Sequence, residues 1–181
     1  MPSKFVVCVR VPLLVSWPGK IEPGRRADDP VLLMDLYPTL MEATGTEGPE
    51  DLDGLSLWPL LSGKGELPER ALYFHFPVYL EAYRPGYDDG RDPLFRTRPG
   101  SVIRKGKWKL HYYYEDAGVE LYNLGSDPGE SNNLAEIHRG MRDELLSQLR
   151  EWLEAEQAPV EFDPNPEFDE HFLREAEASF D

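Results

Sequence analysis

Ser101-Val-Ile-Arg-Lys-Gly-Lys-Trp-Lys-Leu-His-Tyr-Tyr-Tyr114 reads as two strand arms joined at Lys105-Gly106. Branched and aromatic side chains fit a pleated surface, and glycine fits the tight turn between the arms. In the second arm Trp108, Leu110, Tyr112 and Tyr114 fall on one face, and Lys107, Lys109, His111 and Tyr113 on the other. Strand side chains alternate, so this pattern predicts an antiparallel sheet with one buried and one polar face. His111 is therefore expected to face solvent.

Working outward, Ala71 to Phe76 supplies a further arm, and so does Val119 to Leu124 after the turn at Asp116-Ala-Gly118. Asn133 and Glu136 have the spacing of a capping box. Leu134, Ile137, Met141, Leu145, Leu149 and Trp152 then recur at helical spacing, which predicts a helix packed across the sheet. His138 in that helix and His171 in the tail are expected to face solvent. Beyond Pro159 the chain is rich in Pro, Phe, Asp and Glu. It reads as an irregular segment anchored by Phe162, Phe168 or Phe172, or as partly disordered.

Upstream, the apolar run Val11 to Trp17 ends in Pro18-Gly19, which predicts a buried strand closed by a turn. Asp35 begins a short helix that tolerates Pro38 in its first turn and stops at Gly45. Turn residues at Asp53-Gly54 and Ser62-Gly63-Lys64-Gly65 place a boundary near Gly65. The expected architecture is an α/β fragment over 1–64, followed by an α+β part over 65–181 made of a small antiparallel sheet and one long C-terminal helix.

The chain has 181 residues, of which 40% are hydrophobic and 12% aromatic, enough for a core. Its formal net charge of −15 argues against nucleic acid or an anionic membrane surface as the main partner. Cys8 is the single cysteine, so neither an internal disulfide nor a cysteine metal cluster can form. The apolar run before Arg10 is too short for a signal-peptide core or a membrane span, so no export signal is read and the compartment stays open.

Several blocks together resemble one family in order. They are Arg10-Val-Pro, Trp17-Pro-Gly19, Asp35-Leu-Tyr-Pro-Thr39, Arg70-Ala-Leu-Tyr-Phe-His-Phe-Pro77, Val102-Ile-Arg-Lys-Gly-Lys-Trp-Lys-Leu110, Glu120-Leu-Tyr-Asn-Leu124 and Asp127-Pro-Gly-Glu-x-x-Asn-Leu134. From about Arg10 to Asp169 the chain is similar to the C-terminal part of the type I sulfatases, hydrolases of sulfate esters with an alkaline-phosphatase-like fold. The resemblance implies that 1–64 is the last segment of the large α/β domain and 65–181 the small C-terminal subdomain. It also implies a sulfated carbohydrate as the substrate of the parent enzyme.

In that family a formylglycine, made from the Cys or Ser of a Cys/Ser-x-Pro-x-Arg motif, attacks sulfur beside a calcium ion held by Asp and Asn oxygens. Cys8-Val-Arg-Val-Pro12 lacks the proline and arginine of the motif, and Ser16-Trp-Pro-Gly-Lys20 has lysine for arginine and is better read as a turn. Asp28-Asp29 sits between Arg25-Arg26 and Pro30 and reads as a solvated turn rather than a metal pair. No catalytic residue, metal ligand or cofactor is therefore assigned within the chain, and it is expected not to catalyse alone.

The resemblance implies a substrate role for His75, whose other reading is a strand histidine hydrogen-bonded to backbone. Arg10 matches the arginine of the family's Gly-Gly-x-Arg-x-Pro segment, with Val7-Cys8 in place of the glycines. Arg84, Arg91, Arg96 and Arg98 lie in a Pro/Gly-rich loop that reads either as a sulfate-recognising lip or as a surface loop of mixed charge. Two functional readings follow. The chain is the C-terminal portion of a sulfatase, or it is a stand-alone module that binds sulfated glycans or docks onto a partner chain carrying the catalytic half.

Overall fold

The computed structural model describes residues 11–81 and 95–160, with isolated positions between 166 and 178. The chain divides into two compact units, one of Pro12–Glu69 and the other containing Arg70 onward.

In the first unit Trp17-Pro-Gly-Lys20 forms the expected turn: the Lys20 and Ile21 amides donate to the Trp17 carbonyl at 3.0 Å. Gly19 takes φ +80°, which only glycine adopts without strain. A short 3-10 turn, Leu33–Asp35, leads into α1, Leu36–Thr44, which ends at left-handed Gly45. Asp35 and Thr39 lie one helical turn apart and pin the returning chain. The buried Asp35 carboxylate accepts the Leu32 amide at 2.7 Å and the Leu55 amide at 2.9 Å. Thr39 Oγ1 donates to the Asp35 carbonyl at 2.5 Å and accepts the Leu57 amide at 2.7 Å. The Asp-x-x-Pro-Thr block is thus a structural clamp on the chain before α2, Trp58–Ser62. Gly54 is required for it, because a Cβ there would lie 2.3 Å from the Met34 carbonyl oxygen.

The strand expected over Val11 to Trp17 does not form. This stretch has no ladder partner among the described residues, and Leu14 is 90% exposed. Apolar composition favours a strand only where a neighbour satisfies its amides and carbonyls.

The second unit is built on a four-stranded antiparallel sheet of β1 (Ala71–Phe76), β4 (Gly100–Lys105), β5 (Trp108–Tyr113) and β6 (Val119–Asn123), in that spatial order. A separate ribbon pairs β2 (Leu80–Glu81) with β3 (Phe95–Thr97), so part of the expected loop over Arg84 to Gly100 is strand. The long helix α3, Arg139–Ala155, covers one face of the main sheet. Ile103, Leu110 and Leu121, consecutive cross-strand partners, meet Leu145, Leu149 and Leu153 in one fully buried cluster. Trp152 stacks on Tyr73 with ring centroids 4.8 Å apart.

Two expectations need correction here. The capping box does not form: Asn133 Oδ1 instead accepts the Leu121 amide at 3.1 Å and the Ala135 amide at 3.0 Å, while the Leu134 amide bonds the Leu121 carbonyl at 2.7 Å. These bonds hold the chain against β6, so the helix starts only at Arg139 and Ile137 is 73% exposed. The second correction concerns the face carrying Lys109, His111 and Tyr113, which is buried rather than solvated. His138 and His171 are exposed as expected, whereas Phe162, Phe168 and Phe172 lie outside the described residues.

Candidate functional site

Register places His75 on β1 directly opposite Ser101 on β4, and Ser101 opposite Tyr112 on β5. Tyr114, two residues on, returns to the same face. His75 Nδ1 lies 2.9 Å from Ser101 Oγ and 2.8 Å from Tyr114 Oη, and the two hydroxyls are 2.5 Å apart. Three polar side chains, from β1, β4 and the turn that follows β5, thus close a triangle on the helix-covered face. His75 Nε2 is buried and has no hydrogen-bond partner among the described residues.

Burial lowers the imidazole pKa of His75, which favours the neutral ring at neutral pH. Burial also raises the Tyr114 phenol; Tyr112 adds to this, while the hydrogen bond with Ser101 acts against it. All three groups are then uncharged. In the tautomer in which Nδ1 accepts from a hydroxyl, the ring proton sits on Nε2 and that nitrogen is a donor. The triangle can therefore fix a histidine ring and present one N–H.

Arg98, just beyond β3, donates from Nη1 to Glu115 Oε2 at 2.7 Å. The other carboxylate oxygen of Glu115 accepts the Tyr79 hydroxyl. The Tyr79 ring packs against Phe95 with centroids 5.0 Å apart. Because Tyr114 and Glu115 are consecutive, the turn after β5 holds the His75 triangle with one residue and Arg98 with the next. Of the other residues singled out from sequence, Arg96 lies on β3, while Arg10, Arg84 and Arg91 fall outside the described residues, as does Cys8.

On the opposite face of the sheet, Glu130 reaches under β5. Its carboxylate meets Lys109 Nζ at 2.6 Å and His111 Nε2 at 3.0 Å, with all three side chains at most 3% exposed. Asp127 shapes the loop that carries it, accepting the Ser131 and Asn132 amides at 2.8 Å. Burial alone would raise the Glu130 carboxyl, but its hydrogen bond with His111 and the nearby positive charge of Lys109 outweigh it and hold the group below its usual range. Burial dominates at His111, with Lys109 adding to it, and lowers the imidazole despite Glu130. The Asp-Pro-Gly-Glu block is thus a means of burying a counterion. Sequence reasoning missed Glu130, Glu115, Ser101 and Tyr114. The one available signal was a pair of basic side chains, Lys109 and His111, on a strand face with no carboxylate beside them.

Among the described residues no group of three or more His, Cys, Asp or Glu side chains could hold a metal. Asp28 and Asp29 are exposed in irregular chain and belong to no such group.

A small antiparallel sheet backed by one long helix, following a clamped loop-and-helix segment, is the layout that the family resemblance implies for the closing part of an alkaline-phosphatase-like fold. Comparison with known proteins narrows that class. The family model described as N-sulphoglucosamine sulphohydrolase, C-terminal, matches residues 5–159, and the chain belongs to this sulfatase family. It is 32% identical over 169 residues to a sulfatase of Formosa agariphila, covering 84% of this chain and 28% of that protein. It is 30% identical over 151 residues to an N-acetylglucosamine-6-O-sulfatase of Bacteroides thetaiotaomicron, covering 80% of this chain and 25% of that one. Among solved structures, a 2-O GAG sulfatase superposes with a TM-score of 0.52 at 28% identity, over 73% of this chain and 27% of its own. The chain thus spans between a quarter and a third of the length of these relatives.

Proposed function

We propose that this chain supplies the sugar-recognising C-terminal portion of a sulfatase acting on sulfated carbohydrate, and that alone it does not hydrolyse sulfate esters. The observation that carries the reading is His75. Two hydroxyls hold its Nδ1, and its Nε2 is left for a substrate oxygen. Arg10, Arg84, Arg96 and Arg98 are proposed to face the sulfate, since guanidinium forks suit tetrahedral oxyanions. Two of the relatives named above carry sugar sulfates in their names, which supports the substrate class.

The alternative, a stand-alone binding module, draws support from the self-contained core of the second unit. Docking onto a chain that carries the catalytic half draws support from the exposed apolar residues of the first, Leu14, Leu33 and Leu40 among them.

Calorimetric titration of chain 1–181 with N-acetylglucosamine 6-sulfate and with unsulfated N-acetylglucosamine tests the reading. Sulfate-dependent binding at about millimolar affinity, or ~−4 kcal/mol, is expected. It weakens as salt is raised and is lost in His75→Ala. Submicromolar binding would favour the stand-alone module, and equal affinity for both sugars would remove the sulfate assignment.

A further inference from the structure

Arg98 and Glu115 neutralise one another, so the place they occupy offers less positive charge to a sulfate than the sequence alone suggests. The pair is partly exposed, and such pairs contribute little to stability. What the contact does fix is geometry. One carboxylate holds a guanidinium with one oxygen and the hydroxyl of a half-exposed tyrosine with the other. Tyr79 is 48% exposed, yet its ring is restrained at one end by Glu115 and along its edge by Phe95. An exposed aromatic ring held in place, beside a charged donor and a charged acceptor, matches the chemistry of a pyranose. The ring supplies a flat apolar surface for the C–H face, and the ion pair can exchange hydrogen bonds with the rim hydroxyls. Restraint of the ring before binding reduces the ordering cost of association.

We propose that Tyr79, Phe95, Arg98 and Glu115 form a subsite for an uncharged sugar ring, with Glu115 as the positioning residue. The proposal rests on the carbohydrate reading above and refines it: Arg98, already paired with Glu115, is withdrawn from the sulfate-facing set and serves hydroxyls, and sulfate selection is left to His75, Arg10, Arg84 and Arg96. The subsite is tied to the His75 triangle through the Tyr114–Glu115 peptide and through the Tyr114 amide, which bonds the Pro99 carbonyl at 3.1 Å.

Saturation-transfer NMR on chain 1–181 with unsulfated methyl β-N-acetylglucosaminide and its 6-sulfate provides the test, at low and high salt. The unsulfated probe is expected to receive saturation at its ring C–H protons from Tyr79, with little dependence on salt. Tyr79→Ala is expected to weaken it roughly three- to tenfold. Tyr79→Phe keeps the ring but loses the tie to Glu115, and Glu115→Gln keeps an acceptor but loses the charge; both are expected to fall between wild type and Tyr79→Ala. Retention of the circular dichroism spectrum shows that each variant folds. Wild-type affinity for the unsulfated probe in Tyr79→Ala, or no binding of that probe at all, overturns the subsite. Loss of only the sulfate increment, with neutral binding intact, overturns instead the sulfate-lip reading.

Discussion

Removing the charge of Glu130 while keeping its shape, in Glu130→Gln, tests whether the Asp-Pro-Gly-Glu loop is held by electrostatics or by turn chemistry. The carboxylate is buried and touches Lys109 Nζ at 2.6 Å and His111 Nε2 at 3.0 Å. Its loss takes the facing negative charge from an ammonium that is 3% exposed. Breaking a buried pair in this way costs ~3–5 kcal/mol, and the glutamine oxygen still accepts one bond, so the lower end, ~3 kcal/mol, is expected. Replacing both charges, as Lys109→Met with Glu130→Leu, removes the ammonium along with its counterion. It leaves mainly the His111 N–H without this acceptor, at ~1–3 kcal/mol. The double variant is therefore expected to be no less stable than Glu130→Gln. Urea denaturation followed through the NMR amide signals of Leu110 and Leu121 confines the readout to this sheet. A Glu130→Gln loss under ~0.5 kcal/mol, the range of ordinary surface sites, would refute the reasoning.

Other outcomes follow from the same packing. Leu145→Ala opens a cavity in the cluster with Ile103, Leu110 and Leu121 and is expected to cost ~2–5 kcal/mol by denaturant titration; a change typical of the surface would mean this helix face is not the core. Stability is expected to fall with acid: folded His111 sits below its ordinary 6.5, so the unfolded chain takes up the proton first and stability drops as pH falls below about 6.5. Glu130, also lowered, adds a second loss as pH falls below its ordinary carboxyl value of 4.5. Thermal midpoints across that range check the sign, and a midpoint that rises with acid contradicts it. Purified chain 1–181 is expected to leave an aryl sulfate intact with or without calcium; turnover abolished by Cys8→Ala or Ser16→Ala would overturn the reading of both residues.

How much was legible depended on how far apart in sequence the deciding groups lie. The arms from Ala71, Ser101, Trp108 and Val119 could be read because alternation and turn residues are local signals. Lys109 and His111 looked solvated because their counterion lies about twenty residues away, in a loop that reads as a simple turn. The His75 triangle joins residues 26 and 39 positions apart, so it depends on a strand register that no local pattern fixes. Asn133 looked like a helix cap but serves β6, since a side-chain oxygen satisfies whichever amides the tertiary fold brings to it. Val11 to Trp17 has strand composition, yet a strand exists only with a neighbour. Of the arginines singled out, Arg98 has a defined partner in Glu115, while Arg10 and Arg84 fall outside the described residues.

The most direct test of the central claim reads His75 itself. In chain 1–181 with nitrogen-15-labelled histidine, titration with N-acetylglucosamine 6-sulfate is expected to shift Nε2 of His75 while leaving buried His111 unmoved, with a smaller response to the unsulfated sugar. An unchanged His75 Nε2, with shifts confined to exposed His138 or His171, would contradict a substrate role for the triangle.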